Sequence, residues 1–430
     1  MLLGSFVVLL ILIFAGIPIA FSIGLTSLLM MQPLKLPVSL AITQLFTGID
    51  SFTLMAIPFF ILAGDIMAQG GIVKRMVDFA NLLVGRLRGG LGHVNIVTSM
   101  IMAGVSGSGV ADCSAIGSML IPAMKKAGYG MDFAIVVTAT ASTIGPIIPP
   151  SIPMVVWGIV TSESIGDLFL GGVIPGILIG LGLMAMNYAV CVKRGYDFRD
   201  EIQEQSQPLT ARILIETGGA LIMPLIIIGG IVFGVFTATE AGVVAVLYGF
   251  VFGLCVTKVL KLRMIPPILL KAATTTALVM LIVGMATVFS NILVRLQFQT
   301  VVINGIRAIS GTPVVVALLV TAFLLFLGCF IDTTVMIIML GPTLAKLGNE
   351  LGYNPIHFGV FMVMVMIIGA VTPPVGSILF VACSIGRLPI EKTVRLLIPF
   401  TSVLIAVTLL VLFIPDLVLW IPSHVFRTVR

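Results

Sequence analysis

The chain has 430 residues, of which 59% are hydrophobic and 9% charged, with a formal net charge of +6. That balance excludes a soluble globular protein, which needs far more polar surface. It also excludes a nucleic-acid surface, because the basic residues sit in short connections between apolar blocks, where topology signals belong.

The first apolar block, 2–31, lacks a basic start and exceeds a signal peptide's apolar core of about 7–15 residues. It is expected to be a retained span. A bilayer core of ~30 Å needs about 20 apolar residues per helix. Further spans are predicted over 53–70, 131–161, 168–192, 213–236, 240–257, 271–293, 356–385 and 396–414. About nine spans result, with eleven as the other count. The polar stretch 193–212 reads as a loop, no large soluble domain is evident, and the amphipathic tail 420–430 suits the membrane interface. Cys113, Cys191, Cys255, Cys329 and Cys383 lie in or beside apolar segments without metal-ligand spacing. His93, His357 and His424 are too scattered to form a ligand cluster.

The sequence contains a repeat. Gly64 pairs with Gly284, Gly85 with Gly305, Asp112 with Asp332 and Pro122 with Pro342, each at an offset of 220. Beyond these, Gly128-Tyr129 pairs with Gly352-Tyr353, Pro149-Pro150 with Pro373-Pro374 and Pro175 with Pro399, at an offset of 224. Four extra residues near 348–351 account for the change. Lys74, Arg75, Arg86, Arg88, Lys125 and Lys126 crowd the connections of the first half, whereas the matching stretch has only Arg295, Arg307 and Lys346. By the positive-inside rule the first set is cytoplasmic and the second is not. The halves are therefore expected to be inverted, 1–212 against 237–430, joined by a linking span at 213–236. The N-terminus lies inside and the C-terminus outside.

Two kinds of segment are not plain spans. The stretches 92–124 and 312–347 each have two apolar limbs around a small turn. Ser106-Gly107-Ser108-Gly109 makes the first turn; Gly328-Cys329-Phe330-Ile331-Asp332-Thr333-Thr334 makes the second. Limbs of about 11–16 residues suit a re-entrant hairpin; one full span with a glycine-rich kink is the other reading. The spans 131–161 and 356–385 are interrupted at Gly145–Ser151 and Gly369–Ser377 by Pro-Pro pairs flanked by glycine. Proline removes a donor and pushes the preceding residue out of the helical region, so each helix should unwind there. Freed carbonyls at bilayer depth cost several kcal/mol each unless satisfied, and a cation can satisfy them. Breaks at matching positions of two halves point to a transporter's binding site.

Each hairpin tip is expected to meet the break of its own half. The oxygen ligands suit sodium rather than a transition metal, with two or more ions in all. The first sodium site is assigned to Ser106, Gly107, Ser108, Asp112, Gly145 and Ile148. The second is assigned to Gly328, Asp332, Thr333, Gly369, Thr372 and Pro374. Half-helix N-termini aimed at the midplane favour an anionic substrate, for which Ser108, Ser151, Thr334 and Ser377 are candidate donors. Asp112 and Asp332 have a second possible role as helix caps. Asp65, Asp132 and Glu240 read as caps or interface residues; Asn291 and Arg295 read as structural.

With Gly92-His93-Val94-Asn95, the 106–112 turn, 145–151, Phe236-Thr237-Ala238-Thr239-Glu240-Ala241 and 369–374 in this order and spacing, essentially the whole chain resembles the large membrane subunit of a tripartite ATP-independent periplasmic (TRAP) transporter. The resemblance implies an all-α polytopic protein of the ion-transporter superfamily, with an inverted repeat, two re-entrant hairpins and two broken helices, moving as an elevator. It implies sodium-driven uptake of a small organic carboxylate, of the four-carbon dicarboxylate or sialic-acid class, across a bacterial inner membrane. It also implies a small membrane subunit of about four helices and a periplasmic substrate-binding protein as partners, and arm helices at 73–90 and 294–311. The second turn carries Cys-Phe-Ile where the first has Ser-Gly-Ser, which implies different ligands there. A self-sufficient sodium/carboxylate symporter is the alternative. An intramembrane enzyme has no support, since the chain lacks His-x-x-x-His, Gly-x-Ser-x-Gly and metal-spaced carboxylates. Paired inverted hairpins suit alternating access better than an open pore.

Overall fold

The computed structural model describes residues 2–196, 211–298, 301 and 312–425, which are helical with no strand among them. The first predicted span is two helices, α1 (Leu2–Phe14) and α2 (Ile19–Met31). Gly16 at φ +83° and Pro18 separate them, since neither residue continues a helix. α3 (Val38–Ile49), which the span reading left out, bends by 62° into 53–69, where α4 (Ala56–Gln69) lies. α5 (Ile72–Val84) occupies most of the first expected arm.

α6 (Gly90–Ser106) and α7 (Gly109–Lys126) are the limbs of the first hairpin. The first broken span is α8 (Met131–Ala141) and α9 (Ile152–Thr161), followed by α10 (Ile165–Arg194). α11 (Ala211–Val232), α12 (Ala238–Val251) and α13 (Ile265–Arg295) come next. The second expected arm, 294–311, lies mostly outside the described residues, and α13 runs unbroken to Arg295. α14 (Pro313–Gly328) and α15 (Thr333–Glu350) flank the second expected tip. α16 (Pro355–Gly369) and α17 (Ser377–Gly386) form the second broken span. α18 (Val394–Phe413) and α19 (Asp416–Val425) complete the chain.

Among the described residues, four continuous stretches are long and apolar enough to cross a bilayer: Ile165–Arg194, Ala238–Val256, Leu262–Arg295 and Val394–Phe413. The remaining apolar length is carried by shorter helices. The first halves of the broken spans form the core. Every residue of α8 from Phe133 and of α16 from His357 is buried. Helices apolar on all sides belong at such a position. The outer helices turn large apolar side chains outward, among them Phe46, Leu225 and Leu270, as lipid contact requires.

The second limbs refine the repeat. Gly109 and Thr333, which begin α7 and α15, are 224 residues apart, as are Lys126 and Glu350, which end them. The extra length therefore lies at or before the second tip, not near 348–351. Gly107-Ser108 suffices to turn the first hairpin, whereas four residues, Cys329 to Asp332, turn the second. Asp332 thus occupies the cap position held by Ser108, and Asp112 lies one turn inside its helix.

Polar residues outside the hairpins mostly hold helix ends. Asp132 at the start of α8 pairs with Arg194 at 2.9 Å, and Gly130 N–H donates to Tyr196 Oη at 3.1 Å. Glu240 completes a capping box with Thr237, and Arg295 donates to Asn291 at 2.9 Å. Asp65 of α4 accepts from Lys271 of α13 at 2.5 Å, the carboxylate being 13% exposed and the lysine 64%. Lys271→Met strands that carboxylate and is expected to destabilise the protein by ~1–3 kcal/mol, seen as a lower melting temperature in detergent. Adding Asp65→Asn should recover part of the loss.

Candidate functional site

The first hairpin tip is built by its own short sequence. α6 ends at Ser106, Gly107 turns the chain at φ +60°, and Ser108 opens α7 as its cap, accepting from Ala111 N–H at 3.4 Å. Ser106 Oγ accepts from Ser108 N–H at 3.2 Å and donates to Asp112 Oδ1. Asp112 is fully buried, and its Oδ2 has no hydrogen-bond partner.

This tip locks into the first break. Gly107 C=O accepts from Ile152 N–H, the first residue of α9, at 3.2 Å. A Cβ on Gly107 would lie 2.4 Å from Pro150 O, and one on Gly145 would lie 2.0 Å from Asp112 Oδ2. Only glycine permits either approach. Ser151 caps α9, accepting from Met154 N–H at 3.2 Å and donating to Pro146 C=O at 2.5 Å. Its single proton is thus committed to the break, and it offers a substrate carboxylate no donor. Ile148 turns its side chain toward Gly176 of α10.

The second tip meets the second break through bare backbone. A Cβ on Gly328 would sit 2.7 Å from Gly369 Cα. Gly376 N–H donates to Cys329 C=O at 3.1 Å, and Thr333 Oγ1 donates to Met366 C=O at 3.3 Å. Asp332 Oδ1 accepts from Thr334 N–H at 2.9 Å, so this carboxylate is a helix cap. Thr372 Oγ1 donates to Ile368 C=O at 2.8 Å. Pro374 is exposed, while Thr334 and Ser377 are half-buried. Both breaks contain a cis peptide, at Pro149-Pro150 and at Pro373-Pro374.

The hairpins also pack across the halves, which sequence reading did not foresee. A Cβ on Gly109 would meet Ile378 of α17, Cys113 Sγ donates to Ile378 C=O at 3.5 Å, and a Cβ on Gly117 would meet Ile385. α7 and α17 therefore run parallel, with small residues every fourth position of α7 at their contact. That spacing was the available signal. α15 lies beside α9, where Gly341 faces Val160 and Thr161. Through these contacts the N-termini of α7, α9, α15 and α17 gather at the two tip–break junctions, and each presents partial positive charge.

The donor set fits a hard cation at the first junction: hydroxyl and carbonyl oxygens around a buried carboxylate oxygen that nothing donates to. At the second junction Thr333, Thr372 and Asp332 Oδ1 are committed to backbone groups, and what the junction offers a cation is backbone carbonyls. Gly145→Ala and Gly328→Ala should each force a junction apart. The expected result is a well-inserted protein without transport, checked by membrane yield beside uptake.

The family model described as "Tripartite ATP-independent periplasmic transporter, DctM component" matches residues 6–417. The sialic acid TRAP transporter large permease protein SiaM of Vibrio cholerae is 40% identical over 413 residues, covering 96% of each chain. The C4-dicarboxylate TRAP transporter large permease protein DctM of Pseudomonas aeruginosa is 36% identical over 385 residues, covering 90% of this chain and 89% of that one. Among solved structures, MtrF of Neisseria gonorrhoeae, titled as one of a class of antimetabolite efflux pumps, superposes with a TM-score of 0.58 at 11% identity, over 89% of this chain and 83% of that one; the likeness is one of fold. The match to the family model and to these large permeases runs nearly end to end, and the chain belongs to the DctM family of TRAP transporter large permease subunits, multi-pass membrane proteins.

Proposed function

We propose that this subunit imports a small organic carboxylate, of the sialic-acid or four-carbon dicarboxylate class, by coupling it to sodium. The observation that carries the reading is Asp112. An ionised carboxylate buried in a dry interior costs several kcal/mol. One hydrogen bond from a hydroxyl returns ~1.5–3 kcal/mol, and the nearby start of α7 adds only ~0.3–1 kcal/mol. A sodium ion between Asp112 Oδ2, the tip hydroxyls and the unwound carbonyls at 145–148 closes that gap. A second ion sits among the backbone carbonyls of 328 and 369–374, next to Thr333. The substrate carboxylate takes the helix N-termini between the ions, with Ser108, Thr334 and Ser377 as side-chain donors.

Delivery follows the family pattern. A periplasmic binding protein presents the substrate, and a small membrane subunit braces the outer helices in the bacterial inner membrane. The two halves are inverted, with the N-terminus cytoplasmic. Hairpins and broken spans move together as an elevator, because every tip is tied to its own break and, along its limb, to the other half.

Reconstituted uptake tests this reading. Sodium-dependent accumulation of sialic acid or of a four-carbon dicarboxylate should require all three proteins. Uptake by this chain alone would favour the self-sufficient symporter. Asp112→Asn should weaken sodium dependence by roughly tenfold or more, as expected for loss of a charged ligand worth more than about 1.4 kcal/mol; an unaltered sodium curve removes Asp112 from the site. A cysteine beside Arg86 should be labelled only from the cytoplasm and one beside Arg307 only from outside. Labelling from one side for both would end the inverted topology.

A further inference from the structure

Neither junction uses the Gly92-His93-Val94-Asn95 motif. Asn95 lies in a seam between α6, α7 and α8 and is fully buried. Its Nδ2 donates to Thr138 Oγ1 at 2.7 Å, and Thr138 Oγ1 donates to Ala134 C=O at 2.7 Å. Thr138 has spent its proton, so only the amide N–H₂ of Asn95 can face it. The amide oxygen must face away, and it is buried without a donor.

One turn on, Thr98 and Ser99 are fully buried, and neither hydroxyl has a partner. Most other buried helical hydroxyls among the described residues behave differently, Thr408 of α18 being another without a partner. Thr26, Ser27, Thr140, Ser142 and Thr321 each donate to the carbonyl four residues back, the usual solution inside an apolar helix bundle. Thr98 and Ser99 forgo that bond. Positions 95, 98 and 99 share one face of α6, and the same face reaches Ser106 of the first tip ~16 Å further along the helix axis. Across the seam, Gly117 meets Thr138 with no side chain of its own.

Three unpartnered oxygens within one turn, with no N–H among them, form a hard donor set. Neutral oxygens alone suffice for sodium when several converge, as unwound carbonyls do in transporter ion sites. We propose that the Asn95–Thr98–Ser99 face of α6 binds a further sodium ion, separate from those at the two junctions. This rests on the sodium-coupled reading above.

Equilibrium binding of radiolabelled sodium to the purified full-length chain tests it. Ser99→Ala should remove one bound ion per chain, or weaken one class of site by roughly tenfold, while the class lost in Asp112→Asn persists. Alanine keeps α6 helical, and an unchanged melting temperature without sodium checks the fold. Thr98→Val, which keeps the side-chain shape and removes the hydroxyl, should weaken the same class. If both variants bind sodium as the wild type does, the seam holds water only and the proposal fails while sodium coupling stands. If the wild type binds no sodium, the coupled reading falls as well.

Discussion

At bilayer depth no water completes a broken helix, so each N–H and C=O freed by a Pro-Pro pair needs a partner within the protein or a bound ion. In this chain both breaks are closed from outside their own helix. The Gly107 carbonyl receives Ile152 N–H, and the Cys329 carbonyl receives Gly376 N–H. Each bond joins a hairpin tip to the first or cap residue of the returning half-helix. One donor in each break is thereby satisfied, and the accepting carbonyls keep a lone pair to spare. The junctions thus combine carbonyl oxygen with the partial positive charge of helix N-termini.

The glycines make this closure possible. Gly328 and Gly369 cross backbone to backbone, and Gly145 leaves space for the Asp112 carboxylate. A methyl group at any of these positions would intrude to within 3 Å of another heavy atom. Packing across the halves depends on the same economy, through Gly109, Cys113 and Gly117 on α7. The hairpins are therefore not independent flaps. α7 is packed along α17 of the other half, so the N-termini gathered at the junctions are held as a group.

Composition and hydropathy made the membrane class legible, and paired prolines made the breaks legible, because both express a local rule. Proline interrupts a helix whatever surrounds it. The hairpin tips were legible to within a few residues for the same reason. The roles of individual polar side chains were not. Ser151 looked like a substrate donor, yet its proton goes to Pro146. Asp65 had no visible partner in sequence because Lys271 is 206 residues away. The break after Phe14 and the helix at Val38–Ile49 were lost to hydropathy averaging, which does not register one glycine-proline interruption inside an apolar block.

The repeat shows how matching letters can mislead where geometry does not. Asp112 and Asp332 sit at a constant offset from other paired residues, and that invited equal roles. The second turn is longer, so Asp332 falls at the helix cap and spends its carboxylate on Thr334 N–H. Asp112 falls one turn inside α7, where the backbone N–H groups are already bonded, and only Ser106 reaches it. A capping carboxylate is neutralised in part by the helix that it starts. An interior one keeps its full demand for positive charge. The two junctions, built on one backbone plan, therefore differ in charge: the first presents a buried carboxylate where the second presents carbonyls.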